Sequence, residues 1–305
     1  MKYLITGGAG FIGSNLVDRL IKEGHEVVIV DDLSTGKKEY LNPQAKFYEM
    51  DICDKGLKDV FGQENPDYVL HLAAQMDVRV SMNDPVLDNK VNLLGSLNVF
   101  NNCFNGKVKK IIFFSTGGAI YGSVTEPAAE ETLPDPDSPY AVNKYAAEKY
   151  LKIFAGMHNI DYVILRPANV YGPRQYKGGE GAVIATFTYN ALNDMDSKVF
   201  GDGTQTRDYI YVDDVVEGVL AALDSSQKGV YNIGYGKKVS VLDLLKIIGE
   251  VSGKEMQYKH EPARPGEVQD SVLDISKIKK DLNWEPKYSL EEGLKKTFDW
   301  LESIK

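Results

Sequence analysis

A chain of 305 residues, 43% of them hydrophobic, can bury a large core as one large or two smaller domains. Its formal net charge of -9 argues against nucleic acid or an anionic membrane surface as the partner, so anionic ligands must be met by local cations. The two cysteines, Cys53 and Cys103, make neither a disulfide framework nor a zinc site; both read as buried small apolar residues, and no metal is expected.

The chain opens on Lys2-Tyr3-Leu4-Ile5-Thr6 and at once reaches glycines, which leaves no room for the apolar core of a signal peptide. No run approaches the roughly 20 apolar residues of a spanning helix, so a soluble cytoplasmic protein is expected. Tyr3 to Ile5 is a short strand. It is followed by Thr6-Gly7-Gly8-Ala9-Gly10-Phe11-Ile12-Gly13 and an amphipathic helix from Ser14 to Glu23. Between a strand and a helix, glycines at 7, 10 and 13 let the backbone around Phe11 and Ile12, and the helix dipole, approach a pyrophosphate. A second strand, Val27 to Val30, ends in Asp31-Asp32, carboxylates at the distance where an acid accepts both ribose hydroxyls and repels a 2'-phosphate. This predicts NAD rather than NADP, with Asp31 the main contact. Leu33-Ser34-Thr35-Gly36 then turns the chain and lines the adenosine.

A third strand around Phe47-Tyr48 leads to Asp51-Ile52 on the same cofactor edge, and a polar helix covers Lys55 to Phe61. A fourth strand, Tyr68 to Leu72, ends in Ala73-Ala74-Gln75, whose small residues admit a flat cofactor close to backbone. His71, inside that apolar run, reads as a core histidine. Pro85 to Asn105 reads as one long helix. Its Asn92 either extends an amide towards the cofactor or is structural. Lys110 to Phe114 is a fifth strand ending in Ser115-Thr116-Gly117-Gly118, and an acidic, proline-rich loop runs from Ser123 to Asp137.

Next comes Ser138-Pro139-Tyr140-Ala141-Val142-Asn143-Lys144, the start of a helix reaching about Met157. Ser138 suits the N-cap and Pro139 the first helical position. Tyr140 and Lys144, four apart, share one face. Bringing a tyrosine from about 10 to about 7 takes roughly 4 kcal/mol of differential stabilisation. The positive end of the helix and the lysine charge both act in that direction, which makes Tyr140 a candidate general base.

Val163 to Leu165 is a sixth strand, and the alternation up to this point predicts an α/β fold with a doubly wound parallel sheet. We expect a dinucleotide-binding domain over 1–167 and a smaller substrate domain over 168–305. In the latter, helices are predicted over Gly181–Leu192, Asp213–Leu223, Val241–Val251 and Leu290–Leu301, with strands at Val199-Phe200 and Val230–Ile233.

The strings TGGAGFIG, STGGAIYG and SPYAVNK in one order resemble the extended short-chain dehydrogenase/reductases. LRPANVYGPRQ, FGDGTQTRDYIYVDD and RPGEVQDSVLD narrow the resemblance to its nucleotide-sugar enzymes, most closely the UDP-glucose 4-epimerases. It covers nearly the whole chain. The resemblance implies bound NAD, reduced and reoxidised within each turnover. It implies a UDP-sugar substrate oxidised to a transient 4-ketose, with Tyr140 taking the 4-hydroxyl proton and Lys144 holding the nicotinamide ribose. It places Asn169, Arg207 and Arg264 at the diphosphate, Phe200 beside the uracil and Glu267 on the uridine ribose. It also implies a homodimer built from the helices over Pro85–Asn105 and Tyr140–Met157, and a return of part of 212–234 to the first domain. The family's usual catalytic serine or threonine falls on Gly117; Thr116 is the nearest hydroxyl, with Ser115 next. Gly117-Gly118 excludes the 4,6-dehydratases, whose Asp-Glu pair stands there. Ser271, where some relatives carry tyrosine, leaves room for an N-acetyl group. The alternatives are a 4-epimerase of UDP-N-acetylglucosamine or UDP-glucuronate, a UDP-glucuronate decarboxylase, and, remotely, a non-catalytic dinucleotide sensor.

Overall fold

The computed structural model describes residues 1–175, 177, 181–263 and 268–305. Two compact units form: one from residues 1–116, 138–166 and 216–231, the other from 117–137, 167–215 and 232–305.

The first unit is built on β1 (Lys2–Thr6), β2 (Glu26–Asp31), β3 (Lys46–Glu49), β4 (Tyr68–His71), β5 (Lys110–Phe114) and β6 (Asp161–Pro167). With the strand Gly229–Ile233 at one edge, the sheet order is Gly229–Ile233, β6, β5, β4, β1, β2, β3. The six numbered strands pair in parallel. Parallel neighbours need crossovers; a loop with a 3-10 turn at Lys38–Tyr40 joins β2 to β3, and helices supply others: α1 (Phe11–Lys22), α2 (Leu57–Glu64), and the run α3 (Val78–Asn83), α4 (Pro85–Asp88), a π-helical turn Asn89–Gly95 and α5 (Ser96–Phe104). A short α6 (Gly117–Ile120) and the long α7 (Pro139–His158) follow. The order reverses direction between β1 and β4, the switch point at which doubly wound sheets bind ligands beyond the strands' carboxyl ends.

One core layer joins Leu4, Val28, Val30, Val69, Ile111 and Phe113 of the strands to Val60 and Phe61 of α2, Val99, Phe100 and Cys103 of α5, and Ala147, Leu151 and Ala155 of α7. The α7 residues recur every four positions, as one buried helical stripe can. Cys103 is buried as expected, but Cys53 is only half-buried. It lies in the turn before α2, its thiol donates to the Lys90 carbonyl, and a Cβ on Gly95 would stand 3.1 Å from its sulfur. The long helix expected over 85–105 is present with its middle two turns widened to π geometry. Of the described residues, no helix is long and apolar enough to cross a membrane.

In the second unit the short strands Asn169–Tyr171 and Tyr209–Tyr211 pair in parallel, as do Ser197–Phe200 and Tyr258–Glu261, while Thr206–Arg207 runs antiparallel to Val239–Ser240. Helices Val183–Leu192, Val241–Ser252 and Leu290–Ser303 lie where periodicity predicts them, within a few residues. The pairs of two to four residues went unforeseen, except at Val199-Phe200, because such short strands carry no readable alternation.

Candidate active site

The glycine string forms a cradle at the switch point. Gly7 has φ +74°, and a Cβ there would stand 2.7 Å from the Ala73 amide nitrogen. A Cβ on Gly13 would stand 2.1 Å from the Gly7 carbonyl oxygen. Gly10 holds the N-cap of α1 in extended backbone and contributes no capping side chain, so the first-turn amides of Phe11, Ile12 and Gly13 have no acceptor within the helix, the arrangement that suits an anion. Asp31, at the end of β2, is 7% exposed. Its carboxylate accepts from the amides of Ala9 and Leu33, both at 2.9 Å, and so holds the glycine loop and the following turn together. Burial pushes its pKa up against those two hydrogen bonds. Leu33 adopts φ +59°, and Asp32 caps Ser34 through both the amide and the hydroxyl. Gly36 packs on Asp31, where a Cβ would come within 2.8 Å of the carboxylate. Asp51 turns the chain after β3 by accepting from the Cys53 amide. No side-chain bond marks Ile52, Leu72, Ala74 or Thr35 for a ligand; they enter by position alone.

Ser138 caps α7 in extended backbone, its hydroxyl accepting from the Ala141 amide at 3.4 Å, and Pro139 occupies the first turn. Tyr140 is therefore in the opening turn, half-buried, one helical turn ahead of Lys144. Lys144 is 2% exposed, and its ammonium lies 4.5 Å from the Phe113 ring centroid. Burial brings its pKa down to about 7, against the opposing charges of Glu148 and Asp88. Glu148 is itself held in a buried fork by Arg166, at 2.9 and 2.6 Å. Because the folded pKa is depressed from 10.5, the stability linked to Lys144 is complete above that value and is lost progressively as pH falls from there to about 7. Nucleotide-free Lys144→Met therefore gains stability relative to the parent as pH is lowered across this window. A pH-independent difference in unfolding midpoint would contradict the burial argument.

The hydroxyls beyond β5 differ. The Ser115 hydroxyl is enclosed without a hydrogen-bond partner, while the Ser115 amide donates to the Leu165 carbonyl. Thr116 is 8% exposed on the same strand end. His71 is a core residue as expected: its ring bridges the hydroxyls of Thr6 at 2.6 Å and Ser96 at 2.9 Å. Burial drives its pKa well down.

Asn92 is 1% exposed, and its amide is engaged inside the protein. It accepts from the Gln75 amide, and donates to the Gln75 carbonyl and to Asp88. The same network takes in Asn143, next to Lys144. Asp88 lies in no motif, and Asn143 enters the sequence reading only as part of the SPYAVNK string, with no role assigned to it.

In the second unit Asn169, Phe200 and Arg207 each lie on one of the short strands. The Asn169 amide is flanked by Gly118 and Gly181, whose Cβ positions would stand 3.4 and 3.6 Å from it. Arg207 is half-buried and donates to the Thr206 and Gln269 carbonyls. Its neighbour Asp208 is buried, accepts from the amides of Tyr235, Gly236 and Leu273, and is pushed up to about 6 by burial. Phe200 is half-buried at a strand end. Ser271 is 4% exposed, its amide bonded to the Thr206 carbonyl. Arg264 and Glu267 lie outside the described residues.

The family model for the NAD dependent epimerase/dehydratase family matches residues 3–234. The chain belongs to this family. As an NAD dependent epimerase/dehydratase it uses NAD as its cofactor. It is 38% identical over 310 residues to the UDP-glucose 4-epimerase of Mycolicibacterium smegmatis, covering 99% of each chain. Two solved structures superpose on it closely. One is a UDP-glucose 4-epimerase of Thermotoga maritima with UDP-glucose, 46% identical, TM-score 0.97, covering 100% of this chain and 99% of that one. The other is a UDP-glucose 4-epimerase of Thermus thermophilus with NAD, 41% identical, TM-score 0.96, covering 100% of both.

Proposed function

We propose that the chain is an isomerase that interconverts UDP-glucose and UDP-galactose through a transient 4-ketose. The observation that carries this reading is Tyr140 in the first turn of α7 with the buried Lys144 one turn behind it. Bound NAD supplies a reversible acceptor for the hydride at C4 of the sugar. Tyr140 takes the proton of the 4-hydroxyl on its phenolate oxygen and returns it when the ketose is reduced. Lys144 and the positive end of α7 favour the phenolate. Thr116 orients the same hydroxyl, with enclosed Ser115 the alternative. On the resemblance, Arg207, Asn169 and Arg264 hold the diphosphate, Phe200 the uracil and Glu267 the uridine ribose. Anchoring through the nucleotide leaves the hexose free to present either face.

Incubation with a panel of UDP-sugars tests this reading. Formation of UDP-glucose from UDP-galactose, with no net redox change, supports it; no conversion of any member overturns it. A second substrate class, the UDP-N-acetylhexosamines, is favoured by the small, buried Ser271. Good activity on UDP-glucose with none on either acetylated sugar removes that class.

The homodimer reading is supported by exposed apolar side chains along α7, namely Val142, Tyr150, Ile153 and Met157, and by Val86, Leu87 and Leu94 on the neighbouring run. Sedimentation should give twice the 33.9 kDa chain mass, and a monomer at micromolar concentration would exclude it.

A further inference from the structure

Asp88 is fully buried on α4, and no nucleotide motif accounts for it. Its carboxylate accepts three side-chain amide hydrogen bonds. One oxygen takes Asn143 Nδ2 at 2.8 Å, and the other takes Gln75 Nε2 at 2.8 Å and Asn92 Nδ2 at 2.9 Å. Each amide is fixed in orientation by a second bond. The Asn92 oxygen accepts from the backbone of Gln75, the Gln75 oxygen from the backbone of Asp77, and the Asn143 oxygen from Asn89 Nδ2. None can turn over without giving up that bond, so three donors converge on position 88 and only a group that purely accepts satisfies them. The π turn after Asp88 lets Asn89 reach Asn143 while Asn92 reaches Gln75.

We propose that Asp88 is a positioning residue of the site, tying α7 at Asn143 to the strand-end loop at Gln75 and so fixing where the adjoining Lys144 stands. This rests on the reading of Tyr140 and Lys144 given above. Lys144 is faced by Asp88 from α4 and His71 from β4, and by Glu148 on its own helix, where Tyr140 stands one turn ahead; Glu148 is paired with Arg166 of β6. Removing the charge of Asp88 therefore alters the titration of Lys144 as well as its place.

Asp88→Asn and the exchange Asp88→Asn/Asn143→Asp form the test. The single variant sets an N–H against a donor. The exchange restores every pairing, because the amide then at position 88 donates to the carboxylate then at position 143, while its oxygen still accepts from Gln75 and Asn92. For Asp88→Asn we expect kcat to fall about 10- to 100-fold, as small misplacements of catalytic groups do, with KM for the UDP-sugar nearly unchanged. The Lys144 window in pH-dependent stability, read as parent minus Lys144→Met in each background, should move to lower pH. The exchange should return kcat to within about threefold of the parent and restore the window, as strongly coupled neighbours do. Parent-like kcat and an unmoved window in Asp88→Asn at equal folded fraction would overturn the proposal. So would an exchange no better than the single variant. Should the parent convert no UDP-sugar, the functional reading falls, and the stability window still decides the role of Asp88.

Discussion

Tyr140→Phe should lower kcat by about 10²- to 10⁴-fold, the usual contribution of a positioned acid–base group. NAD and UDP-glucose should still bind. The aromatic ring stays, so its place in the first turn of α7 is conserved, and the Ser138 cap and Pro139 continue to start the helix where they do now. Only the oxygen that exchanges a proton with the sugar is lost. Steady-state rates with equilibrium binding of both ligands check this, and near-normal turnover would exclude Tyr140 as the base. Loss of binding along with turnover would mean instead that the hydroxyl holds the site together.

Gly13→Ala should abolish NAD binding or the fold of the first unit. The added carbon would stand 2.1 Å from the Gly7 carbonyl oxygen and 2.9 Å from the Gly8 Cα, both backbone atoms that cannot swing aside. Overpacking of this severity costs more than about 3 kcal/mol, and relieving it must separate α1 from the glycine loop proposed to hold the pyrophosphate. Gly62→Ala is the matched control. It lies in α2 with nothing within 4 Å of the added carbon and should keep both stability and affinity. NAD titration and thermal unfolding of the two variants check the contrast. A Gly13→Ala protein that binds NAD like its parent would contradict the close packing of loop and helix.

The parts of this site that were legible in the sequence are those set by local geometry. Glycines between a strand and a helix, an acid at the end of the second strand, and a serine-proline start to a helix carrying Tyr140 and Lys144 all follow from spacing, and β1 to β6 follow from short apolar runs. What stayed hidden depends on residues far apart in the chain. Asp88 meets Asn143 across 55 positions and Gln75 across 13, and no periodicity announces such pairs. Nor does sequence separate a π turn over Asn89–Gly95 from the α-helix around it, since both present a similar apolar stripe. The half-burial of Cys53 follows from a turn wedged beneath that same segment, a placement only packing decides.

Central to the proposed mechanism, hydrogen leaves C4 of the sugar and returns to the same carbon of the same bound molecule, while Tyr140 manages the hydroxyl proton. UDP-galactose carrying deuterium at C4, incubated with the protein in ordinary water, tests this most directly. UDP-glucose with the deuterium still on C4 is the expected product; product whose C4 label has washed out into solvent would contradict the mechanism.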